Sequence, residues 1–199
     1  MKKIISILLI ACCVLALAAC GKNNGLPDLT NLSTVDDYAT AVNNTNPTTV
    51  KVNVTYENTA PAAILEGEYN VTYNVDGTAT IKYKQEKLNA IGEGEGMERV
   101  EEGTVEVGIN GELSGSIDSV AVIAATKKLN LKAASYDYTI GMDVLNATVK
   151  AKDTEAVFGV NLRSDAILIM RITSEGKVGS YSVSYSTPEG KASIVCIYD

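Results

Sequence analysis

Few residues in this chain are of a type and spacing that could do chemistry, and the most telling is a thiol. Cys20 follows Leu17-Ala18-Ala19, behind an apolar run over residues 4–16 broken only by Ser6 and a positive start at Lys2-Lys3. That order is the layout of a cleaved secretory signal, and the run is shorter than the roughly 20 apolar residues that span a bilayer. The sequence contains no histidine. The commonest general base is therefore missing, along with the Ser-His and Cys-His nucleophile pairs and the commonest zinc ligand. Of the 4 cysteines, Cys12 and Cys13 precede Cys20, and Cys196 lies in the apolar pattern Ile194-Val195-Cys196-Ile197-Tyr198. A lone cysteine in such a run is expected to act as a small buried hydrophobe, because no positive neighbour lowers its pKa.

The Leu-Ala-Ala-Cys order resembles the lipobox of bacterial lipoproteins. That resemblance implies diacylation of Cys20 as the first mature residue and attachment to the extracytoplasmic face of the cell membrane, lipid-anchored. The bare layout is also that of an ordinary signal peptide. Residues 1–19 are read as the signal peptide, 20–31 as a flexible tether, and 32–199 as one antiparallel β domain. Two of the 17 Lys and Arg precede Cys20 and none of the 24 Asp and Glu do, so the remainder carries a formal charge of −9. A nucleic acid would need a basic face, so no nucleic-acid partner is expected. Nor does that charge favour anionic headgroups, which leaves the acyl chains to hold the membrane.

Other motifs fail on inspection. With Gly77 at the sixth place of a calcium loop, the first ligand is Thr72 and the twelfth Tyr83; with Gly111 the twelfth is Ile117. Neither supplies the bidentate carboxylate. The glycines of 92–96 alternate with Glu93 and Glu95, which would repel phosphate, and no Gly-Lys-Ser/Thr follows. Glu98, Glu101 and Glu102 read as a solvated charge run. No carboxylate pair stands out by spacing, so no catalytic residue, metal site or cofactor is expected, and the chain is read as a non-enzyme.

The elements are plainer. Ser33 or Thr34 can cap a helix with Asp36-Asp37 in its first turn and an apolar stripe of Val35, Tyr38, Ala39 and Val42. Val50, Val52, Val54 and Tyr56 then alternate with polar residues, as do Tyr69, Val71 and Tyr73, and after Asp76-Gly77 so do Ala79, Ile81 and Tyr83. A two-residue turn would pair Val75 with Thr78. A bulge at Gly77 pairs Asn74 with Thr78 and sets Tyr73, Val71 and Tyr69 against Ala79, Ile81 and Tyr83. The bulge register is expected, since it keeps the apolar set on one face. Residues 86–103 are acidic and glycine-rich, with 92–96 read as a solvated loop and 105–109 as a short strand turned back at Asn110-Gly111. Residues 120–129 fit either a helix or a buried strand.

Further on, Ile140 is expected to pair with Leu145, Tyr138 with Ala147 and Tyr136 with Val149. Asp153 is placed as N-cap of one helical turn closed by Gly159. Ala166–Ile172 is apolar on both faces and reads as a central strand. The Pro188-Glu189-Gly190 turn is expected to join a final hairpin with Val183 opposite Val195, burying Cys196.

The fold class is thus mainly β (α+β): a single curved antiparallel sheet or half-barrel with a few short helices on one face, or else a closed sandwich. Lipobox, tether, early amphipathic helix and long antiparallel strands resemble, over about residues 32–198, the LolA/LppX-like half-barrel lipoproteins and carriers. Residues 83–89 and 151–159 also resemble uncharacterised lipoproteins of Gram-positive gut bacteria. The half-barrel resemblance implies a curved sheet that cups a lipid or other hydrophobic ligand. Tyr69, Val71, Tyr73, Ile81 and Tyr83 would then be ligand-binding, in a cavity well above about 300 Å³; the same residues would equally make an ordinary core. The alternative is a cell-envelope interaction or scaffold module without a small ligand.

Overall fold

The structure, a computed structural model, describes residues 34–59, 62–89, 97–109, 112–115 and 128–199. The signal peptide, Cys20, the tether, the 92–96 loop and most of 120–129 lie outside the described residues. Nine strands form one antiparallel sheet, and its curved, open shape answers the choice between half-barrel and sandwich in favour of the half-barrel.

Helix α1 (Val35–Asn44) starts as its first residues dictate. Thr34 is the N-cap: its Oγ1 accepts from the Asp37 amide at 3.4 Å, while its own amide donates to Asp37 Oδ2 at 2.9 Å. This reciprocal capping box satisfies two otherwise orphaned donors. The stripe buries Tyr38, Ala39, Ala41 and Val42. At the far end, the buried Thr45 donates to the Ala41 carbonyl at 2.7 Å and accepts from the Val178 amide at 2.8 Å. One hydroxyl thereby ends the helix and pins it to the sheet.

Strands β1 (Thr49–Thr59), β2 (Ala62–Tyr73), β3 (Ala79–Asn89) and β4 (Met97–Val107) form one meander. The second comprises β5 (Asp137–Gly141), β6 (Val144–Val149), β7 (Ala166–Ile172), β8 (Val178–Ser186) and β9 (Gly190–Tyr198). The order across the sheet is β4-β3-β2-β1-β9-β8-β7-β6-β5, so the C-terminal strand lies at the centre, between β1 and β8. The inner face carries Val50, Val52 and Val54 from β1 and Ile194 and Cys196 from β9, all 2% exposed or less. Period-two alternation delivers these side chains to one face.

The β2–β3 hairpin adopts the bulged register. Asn74 donates its amide to the Thr78 carbonyl at 2.9 Å, Gly77 has φ +87°, and Tyr73, Val71 and Tyr69 pair with Ala79, Ile81 and Tyr83. Asp76 fastens the turn by accepting from the Thr78 amide and hydroxyl. Those bonds hold its carboxyl below the ordinary aspartate range. The β5–β6 pairing of Ile140 with Leu145 and Tyr138 with Ala147 also agrees with the sequence. Tyr136 lies just before β5, its hydroxyl bonded to the Leu131 carbonyl.

Several expectations are corrected. The strands on either side of 92–96 reach further than the alternation suggests: β3 runs to Asn89 and β4 starts at Met97. An edge strand needs no apolar alternation on its solvent side, and Lys84 faces Glu102 across the ladder, which is favourable. Ile109 falls outside the strand and is 71% exposed. Asp153 is the N-cap of α2 (Thr154–Phe158), which Gly159 closes at φ +75°, as expected, but its side chain makes no capping bond; it also ends a 3₁₀ turn (Ala151–Asp153) that runs directly into the helix. The Ala151 amide is satisfied by Asp165 instead, at 2.9 Å.

Strand β7 is covered on one face only, with Ile167 and Ile169 open to solvent at 49% and 40%. It lies third from the sheet edge, and no second sheet is present among the described residues to cover it. Finally, Val183 pairs with Ile194 and Ser186 with Lys191, one residue away from the expected register. Thr187 and Gly190 close a tight turn around Pro188-Glu189. Residues directly opposite in a sheet share a face, so the buried Tyr181, Val183 and Tyr185 must meet Cys196, Ile194 and Ala192.

Candidate functional site

The five residues singled out for ligand contact do not form one pocket. Tyr69, Val71 and Ile81 are 2%, 1% and 0% exposed and belong to the packed core. Tyr69 and Tyr83 stack with ring centroids 6.3 Å apart and an interplanar angle of 20°. Each ring lies over a glycine: a Cβ at Gly67 would come within 2.6 Å of the Tyr69 ring, and one at Gly103 within 3.1 Å of the Tyr83 ring. Their hydroxyls are engaged too, Tyr69 accepting from Gln85 at 2.8 Å and Tyr83 donating to Glu101 at 2.8 Å. These two tyrosines serve as flat packing on a twisted sheet. Only Tyr73 reaches an opening.

That opening is a cleft of about 200 Å³ between the end of α1 and the inner face of β8. The bond from the Val178 amide to Thr45 sets its width. Val42, Leu129, Met170 and Val178 supply apolar walls. Tyr73, Tyr181 and Tyr198 present phenols from three different strands. At the mouth, Lys128 Nζ donates to the Asn43 carbonyl at 3.3 Å and to Asn46 Oδ1 at 3.0 Å, tying Lys128 to the end of α1. The volume is below the roughly 300 Å³ of ordinary ligand pockets, so a whole acyl chain does not fit.

The three phenols of the cleft are neutral. Burial pushes Tyr73 up to about 12, helped by its proximity to Cys196. Tyr198 and Tyr181 are raised further, in both cases mainly by burial. The rings of Tyr181 and Tyr198 lie 6.0 Å apart at 40°, and the Tyr181 hydroxyl hydrogen-bonds with Tyr198 and with the Cys196 thiol. At neutral pH all three phenols keep their protons, so none is a base. Among the described residues no group of His, Cys, Asp and Glu is placed to hold a metal.

Cys196 pairs with Tyr181, is 0% exposed, and burial pushes its thiol up to about 12. Native protein at pH 8 is therefore expected to leave Cys196 unlabelled by a thiol reagent for hours, with full reaction in denaturant. Rapid labelling without denaturant would show that β9 frays from the sheet.

Sequence reasoning missed Thr45, Lys128, Met170, Val178, Tyr181 and Tyr198. Tyr181 and Tyr198 follow the same alternation as core neighbours, and no local pattern marks which inner-face residue borders a gap. A second, shallower groove of about 310 Å³ crosses the outer face between Thr55 and Glu57 on one side and Asp165 and Ile167 on the other. It is open to solvent, and Ile167, Tyr185 and Ala192 are among its lining residues.

No family model and none of the curated proteins matches this chain. Among solved structures, the lipoprotein LppX of Mycobacterium tuberculosis is similar over 83% of this chain and 92% of its own, with a TM-score of 0.41 and 12% sequence identity.

Proposed function

We propose that the protein is a lipid-anchored extracytoplasmic lipoprotein that takes a small apolar or amphipathic ligand into the cleft between α1 and β8. The anchor follows from the signal layout ending at Cys20. The ligand reading rests on one observation: a cleft of about 200 Å³ with apolar walls lies among the described residues, between the end of α1 and the inner face of the sheet. Interiors pack to crystal-like density, so a gap of this size is a departure that calls for an occupant. Its size suits a short apolar molecule or one end of a longer amphiphile.

The test is saturable binding of 1-N-phenylnaphthylamine to the Cys20→Ala chain, which has no acyl groups of its own to take up the probe. One site per chain is expected. Asn46, exposed at the mouth, is the place to obstruct it. Asn46→Trp is expected to weaken binding at least about tenfold, worth roughly 1.4 kcal/mol, with an unchanged melting curve. Probe uptake that Asn46→Trp leaves untouched, or no saturable uptake, would overturn the ligand reading and leave the interaction-module alternative in its place.

A further inference from the structure

We infer that the cleft selects amphiphiles with an anionic head, and that Lys128 is the residue that reads the head. This rests on the proposal that the cleft holds a small ligand. Among the described residues Lys128 is the only charged side chain lining it. Both acceptors of its ammonium group, the Asn43 carbonyl and Asn46 Oδ1, are neutral.

Among the described residues, Lys51, Lys132, Lys150 and Lys177 each have a carboxylate oxygen within 3.0 Å and Lys84 is paired with Glu86, whereas Lys82, Lys87, Lys152 and Lys191, like Lys128, have none. What sets Lys128 apart is its place: its ammonium group is held on the lining of the cleft by two neutral acceptors, where its charge is available to an anion.

The remainder of the cleft fits the same ligand. Met170 and Val178 line the same cleft and offer an apolar seat for a tail. A carboxylate or a phosphate monoester accepts from an ammonium group far better than an alcohol does, and charge-assisted bonds are roughly twice as strong as neutral ones. The head would sit at Lys128, with the tail directed towards β7 and β8.

Three probes of equal chain length separate the possibilities by displacing 1-N-phenylnaphthylamine from the Cys20→Ala chain: octanoate, octyl phosphate and octanol. At least one of the two anions is expected to bind about tenfold or more tightly than octanol, with the advantage shrinking in added salt. Whether carboxylate or phosphate is preferred then tells a fatty-acid source from a phospholipid one. Lys128→Gln is expected to erase the advantage while leaving octanol unchanged, and Lys128→Arg to retain it. Equal binding of octanol and both anions to the parent chain would overturn the inference while leaving the ligand site standing, as would an anion preference that survives Lys128→Gln. Failure of all three probes would remove the ligand site and this inference with it.

Discussion

Removing residues 193–199 is expected to abolish cooperative folding, although the cut takes only the last stretch of the chain. Those residues are most of β9, which pairs with β1 from Val50–Tyr198 to Asn58–Gly190 and with β8 from Ser180–Ile197 to Ser186–Lys191. The deletion therefore breaks two ladders and splits the sheet into two meanders with new edges at β1 and β8. It also removes Ile194 and Cys196 from the core and exposes their neighbours Val52, Val54, Tyr181 and Val183, each 2% exposed or less in the intact fold. A fully buried aliphatic side chain is worth about 1.5–3 kcal/mol, against a net stability of about 5–15 kcal/mol for a whole domain. Losing several at once, with the backbone pairing on both sides, exceeds that margin. Circular dichroism on heating is expected to show no cooperative transition. Ile194→Val, which removes one methyl group at a cost of about 0.5–1.5 kcal/mol, is expected to keep one. A truncated chain that melts cooperatively within a few degrees of the parent would mean that β9 does not hold the halves together.

Cys20→Ala is expected to move the protein from the membrane to the soluble extracytoplasmic fraction. An acyl chain contributes about 0.8 kcal/mol per buried CH₂, and stable attachment takes two membrane signals. Diacylation of one cysteine supplies two chains, and the substitution removes both. Nothing described elsewhere compensates: no helix among the described residues is long and apolar enough to cross a membrane. The 24 acidic residues against 15 basic ones beyond residue 19 give no attraction to anionic headgroups. Fractionation of cells expressing each form checks the location, and mass spectrometry of the mature N-terminus checks the chemistry. A variant that still sediments with membranes after a high-salt wash would sink the anchor, as would an unmodified residue beyond Cys20 at the parent's N-terminus.

Chemistry confined to a few neighbouring residues was legible in the sequence. The capping box at Thr34 and Asp37 joins groups three positions apart, so the pattern Thr-Val-Asp-Asp is enough to start α1. The β2–β3 register followed from Asp76-Gly77 and the alternation on either side, because only the bulged turn keeps Tyr69, Val71, Ile81 and Tyr83 on one face. The same reasoning set Ile140 against Leu145. The burial of Cys196 was legible as well, since apolar residues surround it on both sides in sequence.

What depends on distant segments was not legible. Nothing local to Ile194 or Cys196 says that β9 pairs with β1, 132 to 148 positions away in the ladder, rather than only with its hairpin neighbour; that placement comes from the tertiary structure. The one-residue error in the β8–β9 register has the same origin. The turn alone allows two pairings, and the need for Val183 and Ile194 to share the inner face decides between them. Strand β7 read as buried on both sides because Ile167 and Ile169 are apolar, but burial requires a second layer, which sequence pattern does not report. The cleft is the extreme case. Its walls come from α1, β2, β7, β8 and β9, and its width depends on a hydrogen bond between Thr45 and Val178, 133 positions apart. A sequence fixes which side chains turn inward through local periodicity, whereas a gap between them exists only once every distant neighbour has taken its place.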